Sequence, residues 1–204
     1  MEKLNELAKN NFRKWNNSLR TKDSKKVADN YLKNGELLGT VSVKIRQGRK
    51  EIEKYFDHFL QIDPSGKVIE REIIAIDENT FLDGGLYNFE VTKNGERQII
   101  EARFTYIWQK DNKGSWKVKH HHSATKTPEN EKLNKESGVL DLSGNNIEWG
   151  TNEELGGNMT LRTGFLSKDD GHIWRFTRLT KRGDDGVEEI VYRQISERPE
   201  DKGV

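Results

Sequence analysis

Between residues 3 and 20, Leu4, Leu7, Ala8, Phe12, Trp15 and Leu19 recur at steps of three and four among charged and amide side chains. That period winds one apolar stripe along an α-helix. Val27, Ala28, Tyr31 and Leu32 repeat it behind Asp23 and Ser24, either of which can cap a helix, and Asn34-Gly35 is the expected end. ELLGTVSVKIR is β-branched and broken by Gly39, which predicts two short strands or a bent one. A third helix is predicted from about Arg49 to Gln61, burying Ile52, Tyr55, Phe56, Phe59 and Leu60 and stopping before Pro64.

Beyond Pro64 the period shortens to two. KVIEREIIAI, NTFLDGGLYNFEV, RQIIEARFTYIWQ and SWKVKHHHSA are separated by Asp77-Glu78-Asn79, Lys93-Asn94-Gly95 and Asp111-Asn112-Lys113-Gly114, all turn-forming sequences. Three amphipathic helices followed by an antiparallel meander predict a layered α+β domain over residues 1–128, with the helices covering one face of the sheet. Residues 129–145 read as a polar linker. In residues 146–204, NIEWGT, NMTLRTGFL, HIWRFTRLT and VEEIVYRQI predict a small antiparallel meander. Alternation places Met159, Leu161 and Phe165 on one face of its first long strand, pairs Trp174 with Phe176 on the next, and pairs Ile190 with Tyr192 on the last. So small a meander has little core of its own, and it is expected to lean on the first domain or on a neighbouring subunit.

Composition narrows the class. The 204 residues hold 35 Lys and Arg against 34 Asp and Glu, no cysteine and eighteen Phe, Tyr and Trp, which excludes a disordered chain, a disulfide scaffold and a thiol nucleophile. The first residues, MEKLNELAKNNFRKW, lack the apolar run of a secretory signal, and no window approaches a membrane span of about 18 apolar residues, so a cytoplasmic location is expected. Residues 129–204 hold 11 Lys and Arg against 16 Asp and Glu, net −5, while the rest carries +6, so the two parts have charges that attract. Basic residues are interleaved with acids in every helix, which argues against nucleic-acid binding.

Six blocks in order carry a family resemblance: FRKWNNSL, KKVADNYL, LLGTVSVKIRQGRKEIEKYFDHFL, GGLYNFEV, EARFTYIWQ and SWKVKHHHSA. Over roughly residues 4–128 the chain resembles the association (hub) domain of calcium/calmodulin-dependent protein kinase II, within the nuclear transport factor 2-like superfamily; residues 129–204 carry no such likeness. The resemblance implies a curved sheet wrapped round helices as a cone, a homo-oligomer of two or more subunits, and a pocket closed at its wide end by the His-His-Ser stretch. The superfamily also holds ketosteroid isomerase and SnoaL-like polyketide cyclases, so fold alone selects no activity.

Candidate chemistry centres on three groups. On a strand, His120 and His122 share a face and His121 opposes them, so the run cannot chelate one ion with all three, and no metal or cofactor is expected. Arg46, Arg71 and Arg103 accompany Tyr31, Tyr55, Tyr87 and Tyr106; a cone of aromatics with a guanidinium suits a small polar or anionic ligand. Arg46 occupies the place where bacterial relatives have an Arg, whereas Tyr87, Tyr106 and Ser123 stand near where the resemblance implies pocket arginines. The expected ligand set is therefore Arg46, Tyr31, Tyr55, Tyr87, Tyr106 and His122. Asp83 and Asp57 are the carboxylates available for proton transfer, both expected to cap or face water, and no second buried acid stands out. The leading expectation is a non-catalytic, oligomer-forming pocket domain; the alternative is a cofactor-independent isomerase or cyclase.

Overall fold

The computed structural model describes residues 2–136, 147–167 and 171–199. In chain order the elements are α1 (Glu2–Leu19), α2 (Ser24–Ala28), β1 (Tyr31–Leu38), β2 (Arg46–Gln47), α3 (Arg49–Phe59), β3 (Ser65–Asp77), β4 (Thr80–Lys93), β5 (Glu96–Lys110), β6 (Trp116–Thr125), α4 (Pro128–Glu136), β7 (Ile147–Glu154), β8 (Met159–Ser167), β9 (Ile173–Arg182) and β10 (Glu188–Glu197). They form a six-stranded sheet in the order β2-β1-β6-β5-β4-β3 and a four-stranded sheet in the order β10-β9-β8-β7. The fold is α+β, with a curved sheet covered by N-terminal helices and a second antiparallel sheet after it.

The helix expectations hold at α1 and α3 and fail at the second helix. α2 is only five residues long, capped by Asp23, whose side chain accepts from the Lys26 N–H. The chain leaves it at Asn30, whose side-chain amide donates to the Lys26 and Val27 carbonyls and thereby occupies the acceptors that a continuing helix would use. Tyr31 and Leu32 thus open a strand that runs through Asn34-Gly35 and lies parallel to β6, a departure from a purely antiparallel meander. A fourth helix, α4, occupies part of the segment expected to be linker; Val139, Leu140 and Leu142 lie outside the described residues.

α1 buries Ala8, Phe12, Trp15 and Leu19 against the inner face of the large sheet, and α3 adds Ile52, Tyr55 and Phe56. The inner face itself supplies Phe81, Tyr87, Phe89 and Val91 from β4 and Ala102, Phe104, Tyr106 and Trp108 from β5. Strand alternation sends Arg103, Thr105 and Ile107 to the outer face. That outer face is covered by the second sheet: Ile76, Leu82 and Ile107 pack on Met159, Leu161 and Leu179. The partner expected for the meander is thus the first domain's own sheet. On the meander's far side Trp174 does accompany Phe176, in a cluster with Leu166 and Ile195. Ile190 and Tyr192, expected on one face, are separated by a register shift that turns Tyr192 toward the large sheet.

Candidate functional site

Asp83, Tyr106 and His121 are register partners on the adjacent strands β4, β5 and β6, and they form one row across the inner face. Trp108 follows Tyr106 on the same face and stacks on it with ring centroids 5.1 Å apart, while His121 stacks on its other neighbour side at 4.1 Å. Asp83 is fully buried, contrary to the expectation that it faces water. Arg71 of β3 reaches it, Nε to Oδ1 at 2.7 Å. Burial drives the Asp83 carboxyl up to about 6 against the opposing pull of Arg71. The Trp108 indole N–H lies close enough to lower that value slightly, yet neither Trp108 Nε1 nor Asp83 Oδ2 has a hydrogen bond of ordinary geometry.

The same wall carries more unpartnered polar atoms: Tyr106 OH, His121 Nε2 and Arg71 Nη2. Their hydrogen assignments follow from their neighbours. Trp15 Nε1 can only donate, and it does so to Tyr31 OH at 3.3 Å. Tyr31 OH lies 2.9 Å from His121 Nδ1 and gives its hydrogen there, so the ring proton sits on Nε2 and faces the row as a donor. Burial holds His121 well below its ordinary value of 6.5, hence neutral, and holds the Tyr106 phenol well above 10, hence protonated. The wall therefore presents several neutral or cationic donors and one carboxylate in an apolar frame.

A second group lies where β1 parts from β6. Tyr87 OH donates to Ser123 Oγ, which also bonds Thr40 Oγ1. Tyr55 stands against Gly39, where any Cβ would lie 2.4 Å from its ring. Arg46 is mostly buried, with Nε 3.3 Å from Ser42 Oγ and Nη1 3.6 Å from Glu51. Arg175 of β9 arrives from the second sheet, fully buried; it donates to the Gly39 carbonyl at 2.6 Å and to the Ser123 carbonyl at 3.4 Å. Burial lowers its guanidinium to about 10.

Of the residues expected to bind ligand, Tyr31, Tyr55, Tyr87 and Tyr106 share the interior, and Arg46 flanks Tyr55. His122 does not join them: alternation turns it to the outer face, where Nδ1 and Nε2 bond Thr177 at 2.9 Å and Ser196 at 3.0 Å. Arg103 is outside as well, bound to Glu131 of α4 at 3.0 Å. Asp57 accepts from Ser24 at the surface. Sequence reasoning missed Arg175 and a second buried acid, Glu36, which contacts His120, Thr163, Thr151 and Gln47. Among the described residues no group of three or more His, Asp or Glu is arranged to hold a metal ion, and no helix is long and apolar enough to cross a membrane.

The profile of the calcium/calmodulin dependent protein kinase II association domain matches residues 5–127, so the chain belongs to that family. A Xanthomonas campestris structure described as such an association domain is 39% identical and superposes with a TM-score of 0.55, over 58% of this chain and 84% of its own. A Catenulispora acidiphila protein solved in complex with S-DNPA is 10% identical, TM-score 0.55, over 61% and 95% of the two chains. A ketosteroid isomerase-like protein from Erwinia carotovora atroseptica is 14% identical, TM-score 0.50, over 59% and 94%. The last two show likeness of fold. No curated protein matches the chain. The family match ends before α4, so the second sheet lies outside it.

Proposed function

We propose that the cone of residues 1–128 binds a small, largely apolar molecule bearing a carbonyl or hydroxyl group and moves a proton on it. Asp83 is the proton acceptor, and Tyr106, with Trp108 and His121 beside it, donates to the oxygen that gains charge. The observation that carries this reading is one wall of an aromatic interior on which Tyr106 OH and His121 Nε2 are buried without partners beside Asp83, whose Oδ2 has only the poorly aligned Trp108 N–H near it. Buried polar groups left unpaired cost about 1–3 kcal/mol each, and a bound molecule that pairs them recovers it. Tyr31, Tyr55, Tyr87 and Arg46 frame the rest of the molecule, and a carboxylate titrating near 6 is suited to exchange protons near neutral pH. The reading draws support from the fold shared with a ketosteroid isomerase-like protein and with a small-molecule complex.

Binding of para-nitrophenol, whose ionised oxygen stands in for the developing oxyanion, tests the site. The phenol raises the melting temperature of the wild-type protein, and Tyr106→Phe weakens the effect at least tenfold, one hydrogen bond to a charged oxygen being worth about 1.5–3 kcal/mol. A wild-type protein that ignores the phenol, or a Tyr106→Phe variant that binds it equally well, overturns the reading.

Self-association is a second reading, favoured by exposed Ile69 and Ile99 on the part of the large sheet that the meander leaves open and by the family's description as an association domain. Light scattering decides it: a dimer or larger assembly supports it, and a monomer at high concentration rejects it.

A further inference from the structure

One continuous run of hydrogen bonds between two buried charges crosses the contact between the sheets. Arg175 Nε donates to Ser196 Oγ at 3.2 Å, and Ser196 Oγ lies 3.0 Å from His122 Nε2. His122 Nδ1 and His120 Nε2 both bond Thr177 Oγ1, at 2.9 and 2.8 Å. His120 Nδ1 meets Glu36 Oε1 at 2.9 Å. All six side chains are buried.

The direction of each bond follows from the two ends. A guanidinium only donates and a carboxylate only accepts. Starting from Arg175, the Ser196 hydroxyl turns its hydrogen to His122 Nε2, His122 Nδ1–H goes to Thr177, and Thr177 gives its hydrogen to His120 Nε2. His120 Nδ1–H then falls on Glu36. Every hydrogen in the run finds an acceptor, with one proton on each imidazole. Such a chain is polarised cooperatively in a dry interior.

An added proton has no good place on His122. On His120 it reverses the Thr177 and His122 bonds, which points His122 Nε2–H at Ser196 and leaves the serine hydroxyl hydrogen displaced. On His122 it puts an imidazolium beside the Arg175 guanidinium. Burial and the Arg175 charge both hold His122 well below 6.5. The groups around His122 offer no relief. Lys119 of β6 is another cation, spent on Glu153 of β7 at 2.6 Å; Arg198 and Arg46 carry positive charge nearby; and Tyr55 and Tyr192, pushed up by burial, stay neutral. Glu36 is the one carboxylate in the run and already accepts from four side chains.

We propose that the run from Arg175 to Glu36 is a proton-sensitive latch, which holds the second sheet over the large sheet at neutral pH and releases it when His122, one serine away from Arg175, is protonated. Release needs only protons from solvent, and it bares the apolar strip of Ile76, Leu82 and Ile107. The latch does not depend on what the interior binds.

Imidazole 15N NMR on the full chain reads the bond directions. The expected result at pH 7.5 is Nδ1–H on both His120 and His122, with exposed His58 and His172 as references in the same spectra. An Nε2–H form of His122 at that pH overturns the proposal. Hydrogen exchange at decreasing pH, corrected for intrinsic rates, reads the release. Protection in β9 falls about tenfold per pH unit for each proton taken up below about 6.5, while β5 holds. Thr177→Val, which keeps the shape and removes the bridging hydroxyl, raises the pH of release, and Thr177→Ser restores it. Leu161→Ala weakens the apolar half and lowers protection equally at every pH. Loss of protection in both sheets at one pH, or a Thr177→Val protein that releases at the wild-type pH, sinks the latch.

Discussion

Asp83 shows how one buried group makes stability depend on pH. Its folded-state pKa of about 6 lies above its ordinary 3.8, so the folded protein binds the extra proton between those values. The stabilising contribution of the neutral acid is present below about pH 4 and is lost as pH rises through 6. Asp83→Asn cannot ionise. Its stability relative to wild type therefore improves between pH 4 and 7 by on the order of 3 kcal/mol, the value of a shift of about two units. Denaturant melts of both proteins across that range check the slope; parallel curves refute the account. His122 and Glu36, both depressed on folding, act in the other direction and favour the folded state as pH rises. The alternation of EARFTYIW and of the three histidines was readable at this scale, since period two alone assigns faces. The environment of each face was not. Arg175 sits between Trp174 and Phe176 and looks like the solvent side of a strand until another sheet covers it.

At the scale of elements, two devices join the meander to the rest. Gly84 is the place where Tyr192 lies on the large sheet: an added Cβ would stand 2.5 Å from the tyrosine oxygen and 2.8 Å from its ring. Gly84→Ala is expected to push Tyr192 off Thr105, which it meets at 2.8 Å, and to cost about 1–3 kcal/mol, measured by chemical denaturation. A neutral result would mean that the ring shifts freely. The second device is α4. Its Asn134 accepts from the Ile195 N–H at 3.0 Å and donates to the Ile195 carbonyl at 2.7 Å, while Asn130 accepts from the Glu197 N–H at 2.8 Å. Two asparagines one helical turn apart thus occupy the open edge of β10, as a neighbouring strand would. Asn134→Ala should speed amide exchange at Ile195 and leave β8 unchanged. Polarity misread this helix as linker, because the residues that make it useful are amides rather than apolar ones. The second helix was misread for the reverse reason: Tyr31 and Leu32 continue a helical spacing, but the Asn30 side chain closes the helix before them.

For the whole molecule, the layered α+β class and the second four-stranded antiparallel sheet were legible, because long periodic segments and turn sequences fix element type and order. The relation between the two sheets was anticipated from the meander's apolar faces, which need a cover, with the net charges of +6 and −5 favouring the first domain over another subunit. The actual contact sets buried polar groups beside an apolar strip, which no local pattern encodes. Removing residues 130–204 would leave Ile76, Leu82 and Ile107 uncovered and Glu36 without Thr151 and Thr163. The shortened protein is expected to keep its helices and inner core yet to associate, as seen by light scattering alongside circular dichroism; a well-behaved monomer would show that the cover is dispensable. The seam also has a history in time. Thr163 meets Glu36 across 127 positions of chain and Arg175 meets Gly39 across 136, so these bonds close only after almost everything between them has been synthesised. Contacts of such long sequence separation form late and slowly. During translation the first sheet therefore waits with its outer face bare and His122 without the Thr177 and Ser196 partners it later gains, and this interval is when a newborn chain most needs a chaperone's shelter.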